Sequence, residues 1–237
     1  MTVSIVTWLW PGEDPRRIFL PKYATTLAST FRRTLSIPHR FICISDDTSG
    51  FGEGVEVIHT PPAAAKLGQL KSPEGTRFPS CYRRLWAFSE EAKKILGDRI
   101  FVVDVDFLVL KDLAHVIGRD EDFVGWRPLA QWGNRSRIGG GMYLLKTGTH
   151  THVYDSFVGQ RSIQEARRAG FRGSDQAWLS YKLGRTATIW PNNLGIYSIR
   201  DFDNGRKPLP KDAIAVQWNG PQKQWMSQLD WVKKAWR

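Results

Sequence analysis

Two carboxylates, Asp104 and Asp106, stand one residue apart in the segment FVVDVDFLVL, residues 101 to 110, directly after an uninterrupted apolar run. An alternating strand turns both side chains to the same side. Paired carboxylates at the end of a buried strand repel one another and are poorly solvated unless a cation neutralises them. A hard divalent ion, Mg2+ or Mn2+, takes one or two such carboxylates and fills its shell with water and phosphate oxygens. The plainer alternative is a pair of solvated turn aspartates. The buried strand before them favours the metal, because such strand ends open on ligand crevices. Other chemistries find less support. The five histidines show no zinc spacing with Cys43 and Cys81, and no G-x-S-x-G, P-loop or G-x-G-x-x-G occurs.

The elements that must hold these residues alternate between strand and helix signals. VSIVTWLW, residues 3 to 10, reads as a buried first strand ending at Pro11-Gly12. Asp14-Pro15 reads as the start of a helix reaching about Leu35. Strands follow at 40–45 and 55–59, then a long surface loop at 61–79. A helix is expected over 80–96 with Gly97 as its stop, and then strands at 100–103, 123–126 and 142–145. Helices at 152–168 and 174–183, a strand at 214–218 and an amphipathic tail at 225–236 complete the chain. No repeat or linker interrupts this order, so one α/β domain over residues 1–237 is expected.

Composition narrows the classes. With 41% hydrophobic and 24% charged residues, disorder, collagen and coiled coil are excluded. Two cysteines make no disulfide framework, and the N-terminus carries no signal-peptide pattern, so a cytoplasmic setting is expected. The longest apolar run is too short to span a membrane. The 34 Lys and Arg against 23 Asp and Glu leave a formal charge of +11, a field that recruits polyanions, although solubility is the blander reading.

Taken in order, these motifs resemble the GT-A fold of nucleotide-sugar glycosyltransferases, nearest to the retaining glycogenin and bacterial galactosyltransferase-like family. The resemblance rests on VSIVTWLW, Tyr82-Arg83-Arg84-Leu85, the D-x-D at 104–106, IGGGMYLL at 138–145, Ser174-Asp175-Gln176, and VQWNGPQKQW at 216–225. It implies a Rossmann-like mixed sheet flanked by helices and transfer of a sugar from a nucleotide sugar, a UDP-sugar, to a hydroxyl. It assigns Asp104 and Asp106 to Mn2+ or Mg2+ on the donor diphosphate, with Gln217 where the family usually has a metal-binding His. Thr7 and Trp8 would lie near the base, Arg83, Gly140 and Gly141 near the donor, and Gly220 and Lys223 against the phosphates. Asp175 and Gln176 would face the transferred sugar. Gly139 stands where the family usually has an Asn. Simpler readings coexist: a flexible glycine turn at 139–141, a helix-first-turn role for Asp175, and a solvated helix face for Arg83 and Arg84.

The acceptor is read from the basic, aromatic stretch holding Trp126, Arg127, Trp132, Arg135 and Arg137. A cationic groove with stacking residues suits a nucleic-acid backbone and an extruded base. The favoured acceptor is therefore a hydroxymethylated pyrimidine in DNA, as in enzymes of bacterial viruses, which would work in the host cytoplasm. The alternative is a lipopolysaccharide, glycolipid or saccharide acceptor, with the Trp-tipped tail on a membrane surface. From other classes come a non-catalytic DNA-binding protein and a two-metal nucleotidyltransferase or nuclease, whose third carboxylate would be Asp112 or Asp175.

Overall fold

A computed structural model describes residues 2–10, 19–71, 81–127, 135–219 and 222–237. The chain forms two compact units. The first comprises Met1–His59, Val103–Asp120 and Pro191–Arg237, and the second Thr60–Val102 and Glu121–Trp190. The main sheet is mixed and holds seven strands.

In the first unit, strands β1 (Val3–Leu9) and β2 (His39–Ser45) run parallel, with Thr7 opposite Cys43 and Trp8 opposite Ile44. The short β3 (Glu56–His59) continues the parallel order β3-β2-β1. Parallel neighbours need a crossover, and α1 (Pro21–Thr34) supplies it, burying Ala24, Leu27, Ala28 and Phe31 at helical spacing. The helix begins at Pro21 rather than near residue 15. Proline is welcome at the first helical position but drives the residue before it out of the α region, and Leu20 is extended at φ −96°, ψ 150°. The expected start at Asp14-Pro15 lies outside the described residues.

The second unit contributes β4 (Arg99–Val103), β6 (Phe123–Trp126), β7 (Gly139–Lys146) and β8 (Thr188–Ile189), in the order β4-β7-β6-β8. Strands β6 and β7 are antiparallel with an irregularity between Gly125 and Trp126, and β6 and β8 are parallel. The glycines at 139–141 are therefore strand, not a turn. The expected 61–79 loop contains a short helix, α2 (Pro62–Gly68), which the Pro-initiated alanine run favours. The helix expected over 80–96 is divided: a buried 3-10 segment, Tyr82–Phe88, then α3 (Glu90–Leu96), because the Ser89 hydroxyl accepts from Ala92 N and caps a new start. Likewise 152–168 splits into α5 (His152–Asp155) and α6 (Gln160–Arg168) at Gly159, whose φ is +59°. Helix α7 (Asp175–Leu183) follows as expected.

The first unit holds a second, three-stranded sheet in the order β5-β10-β9, made of β5 (Phe107–Val109), β9 (Ile196–Ser198) and β10 (Ala215–Gln217). Against it lie Ile199, Phe202, Trp218 and Val232, with Trp231 and Trp236 packed alongside. The tail helix α8 (Asp230–Ala235) is thus docked by its apolar face, and Arg33 donates to the carbonyls of Ala235 and Arg237 at 3.1 and 2.5 Å. On the face expected to meet a membrane, Val232 is buried and Leu229 and Trp236 are half-buried against this core. Among the described residues no helix is long and apolar enough to cross a membrane.

Candidate active site

The acidic pair does not lie on a strand. Strand β4 ends at Val103, residues 104–106 form a turn closed by Phe107 N donating to Asp104 O at 3.1 Å, and β5 starts in the other sheet. The alternation argument fails here because the chain changes sheets at this point, yet the turn still brings both carboxylates to one place. Its backbone is clamped: Trp218 N donates to Asp106 O at 2.8 Å, and Gln224 Nε2 to Val105 O at 3.2 Å.

Strand β10 delivers the next groups. It pairs antiparallel with β5, Gln217 opposite Phe107, which sets the Gln217 side chain beside the turn. Gln217 Nε2 donates to Asp104 Oδ2 at 3.2 Å. Among the described residues its Oε1 has no hydrogen-bond partner although Gln217 is only 1% exposed. A buried amide oxygen without a partner is costly and points to an unfilled contact. Six residues on, Lys223 donates from Nζ to Asp106 Oδ2 and lies 3.4 Å from Trp218 O, with the Phe19 ring 5.5 Å away. The loop carrying it is pinned to α1, since Trp225 stacks on Tyr23 at 3.9 Å between centroids. Burial pushes the Asp106 carboxyl up from its usual range, with the Lys223 ammonium opposing and Asp104 reinforcing that shift.

Two carboxylates and one amide oxygen make an oxygen-only donor set that fits a hard divalent cation. Gln224, absent from the sequence expectations, earns a place as the clamp of the turn; only its location before Trp225 hinted at it. Among the donor residues expected near the base, Thr7 is fully buried with its Oγ1 lacking a hydrogen-bond partner, and Trp8 is buried within β1. Gly220 lies outside the described residues.

In the second unit, Asp175 opens α7 and is 1% exposed. Arg84 grips it, Nε 2.8 Å from Oδ2 and Nη2 3.4 Å from Oδ1, and Ser174 Oγ donates to Oδ1 at 3.1 Å. Gly140 belongs to this arrangement: a Cβ there would come within 2.8 Å of both carboxylate oxygens. The room that Gly140 leaves is filled by the Asp175 carboxylate. Gly141 is half-buried on the same strand. Arg83 and Arg84 are both buried, so the solvated-face reading is corrected too. Arg83 lies under the backbone of Gly68, where a Cβ would come within 2.6 Å of its guanidinium. Arg84 was not among the expected site residues. The signal was present, since two arginines inside the apolar run Tyr82–Phe88 demand buried partners. Gln176 is half-buried and donates from Nε2 to Arg172 O at 3.3 Å.

Trp126 is only 5% exposed, with the Arg127 guanidinium 5.2 Å from its ring, so it has no free face for a base. Arg135 donates to Ala169 O at 3.4 Å, and Arg137 to Arg185 O at 2.8 Å, so both serve the carbonyl ends of helical segments. Trp132 lies outside the described residues. Asp112, offered as a third metal carboxylate, accepts from Ser36 N, Ser36 Oγ and Ala114 N, while Asp175 is committed to Arg84. The two-metal reading loses both its candidates. Burial pushes the Cys43 thiol up to about 12, which removes it as a nucleophile.

By sequence, no family model and no curated protein matches the chain. Solved structures do. The galactosyltransferase LgtC, in an active-site mutant, aligns at a TM-score of 0.65 with 13% identity, over 98% of this chain and 93% of that one. The glycosyltransferase GlyE of Streptococcus pneumoniae TIGR4 gives 0.60 and 11%, over 100% of this chain and 59% of that one. Mouse xyloside xylosyltransferase 1 gives 0.56 and 12%, over 92% and 98%. The fold is thus the one these glycosyltransferases share, as the motif order implied.

Proposed function

We propose that the chain transfers a sugar from a nucleotide-sugar donor, a UDP-sugar, to a hydroxyl acceptor. The observation that carries this reading is the convergence of Asp104, Asp106, the unpartnered Oε1 of Gln217 and the Lys223 ammonium on one turn, in a fold shared with glycosyltransferases. Asp104, Asp106 and Gln217 would hold Mn2+ or Mg2+. Such an ion, when bound, supplies Lewis acidity to the departing nucleoside diphosphate. Lys223 contributes a positive charge for the same phosphates. Gln224 keeps the turn in place. In the second unit, Gln176 is the group we assign to the transferred sugar, and Asp175, held by Arg84, is a positioning residue.

A saccharide hydroxyl is the acceptor class the side chains support best. Trp126 cannot stack on an extruded base while buried, and Arg135 and Arg137 each direct one N–H to a backbone carbonyl. The LgtC complex was obtained with donor and acceptor sugar analogues, so a protein of this fold takes a sugar acceptor. A second reading keeps the hydroxymethylated pyrimidine in DNA, favoured by the net charge of +11. Product mass analysis separates them: small saccharides and hydroxymethylcytosine or hydroxymethyluracil DNA are offered with Mn2+ and a panel of nucleotide sugars. A mass gain of one sugar on a saccharide alone supports the first acceptor, and a gain on the modified nucleoside supports the second. No gain on any acceptor with any donor counts against sugar transfer itself.

A further inference from the structure

Asp106 is already partnered by a cation of the chain's own. Its side chain and that of Lys223 are 10% and 9% exposed, so the pair is shielded from water, and a divalent cation bound by Asp106 would share its carboxylate with the ammonium. A buried carboxylate beside a second carboxylate requires positive charge, and an ammonium supplies it. Two cations crowded on one carboxylate repel strongly in so dry a place. We propose that Lys223 is a resident counter-cation that competes with the divalent ion for Asp106, and that it leaves the carboxylate only when a phosphate-bearing ligand arrives to take its charge.

The surroundings of Lys223 fit that exchange. Among the described residues its ammonium has weaker alternatives nearby, the Trp218 carbonyl at 3.4 Å and the Phe19 ring at 5.5 Å. Leaving Asp106 with no anion to meet it would strand a buried charge. The loop base is fixed by the Tyr23–Trp225 stack and by Gln224 on Val105, so the motion is confined to the flexible lysine side chain. Divalent ion and diphosphate then bind with positive coupling, and by linkage each strengthens the other. The device keeps the acidic pair neutralised between turnovers. It rests on the metal reading of Asp104 and Asp106.

The test is Mn2+ binding to the full chain by calorimetry, with no nucleotide present. Lys223→Met is expected to bind Mn2+ at least 10-fold tighter than the unaltered protein, and adding Asp106→Asn to that variant should erase the gain. Equal or weaker binding by Lys223→Met, with binding still abolished by Asp104→Asn, overturns the counter-cation and leaves the metal reading standing. Mn2+ affinity unchanged by both Asp104→Asn and Asp106→Asn overturns the metal reading, and the counter-cation with it. Because Lys223→Met leaves Asp106 without its cation, a second measurement uses the unaltered chain. In 15N-lysine-labelled protein, the protected ammonium signal that vanishes in Lys223→Arg is expected to lose protection when Mg2+ and UDP are added together, and to persist with Mg2+ at low occupancy. A signal unmoved by Mg2+ and UDP at saturation overturns the proposal.

Discussion

Asp175 is a buried carboxylate, held by Arg84 and Ser174 in the room that Gly140 leaves. Removing one partner of such a pair strands the other, so Arg84→Met is expected to cost about 3–5 kcal/mol in chemical denaturation, whereas an exposed pair such as Arg32–Glu53 is worth ~0–1 kcal/mol. Gly140→Ala should cost about 1–3 kcal/mol by forcing the carboxylate aside. Gln217 gives a second expectation at this scale. An imidazole favours later transition metals over Mg2+, while an amide oxygen suits the hard ions, so Gln217→His should raise Mn2+ affinity relative to Mg2+. Calorimetric titration of both ions into both proteins checks it, and an unchanged ratio would place Gln217 outside the donor set. Asp104 and Asp106 stand out in the sequence by type and spacing, and Gln217 and Lys223 only through the resemblance of the motif order. Arg84 is visible as a charge in need of a buried partner, but that partner, like the one Gln224 meets, lies far off in the chain, 91 and 119 residues away.

The strands were legible where apolar residues run without a break, as in β1 and β4, since continuous burial needs no knowledge of the rest of the fold. Breaks inside elements were harder. The helix over 80–96 keeps its apolar spacing through Ser89, but the hydroxyl of that serine competes with its own helix and caps a new one. The turn at 104–106 was hidden because alternation reads the same whether a chain continues in one sheet or leaves it for another. Between α5 and the end of β7, His150 offers a pH expectation. Burial and the neighbouring His152 lower its pKa below the ordinary 6.5, with Asp122 opposing. Its neutral form is therefore favoured by folding, and that stability is present above pH 6.5. As pH falls through that value the unfolded chain takes up the proton first, so stability declines. The melting temperature should drop less between pH 7.5 and 5.5 in His150→Gln than in the unaltered protein, and equal drops would refute the assignment.

At the scale of the molecule, the first unit holds the acidic turn with Gln217 and Lys223, and the second holds the Arg84–Asp175 pair and Gln176. Neither unit is continuous in sequence, which is why no linker was visible. The net charge of +11 is a property of the whole surface and acts on association rather than on bond making. At the sequence level it favoured a DNA acceptor, and the burial of Trp126 bears on the stacking half of that reading. The central claim, that the acidic turn serves a nucleotide-sugar donor, is tested most directly by donor turnover. Full-length protein with Mn2+ and a panel of UDP-sugars is assayed for released UDP, beside Asp106→Asn. The account predicts release from at least one donor, falling by about 100-fold or more in the variant, in line with losing a main electrostatic group. Release that is equal in the two proteins would contradict it.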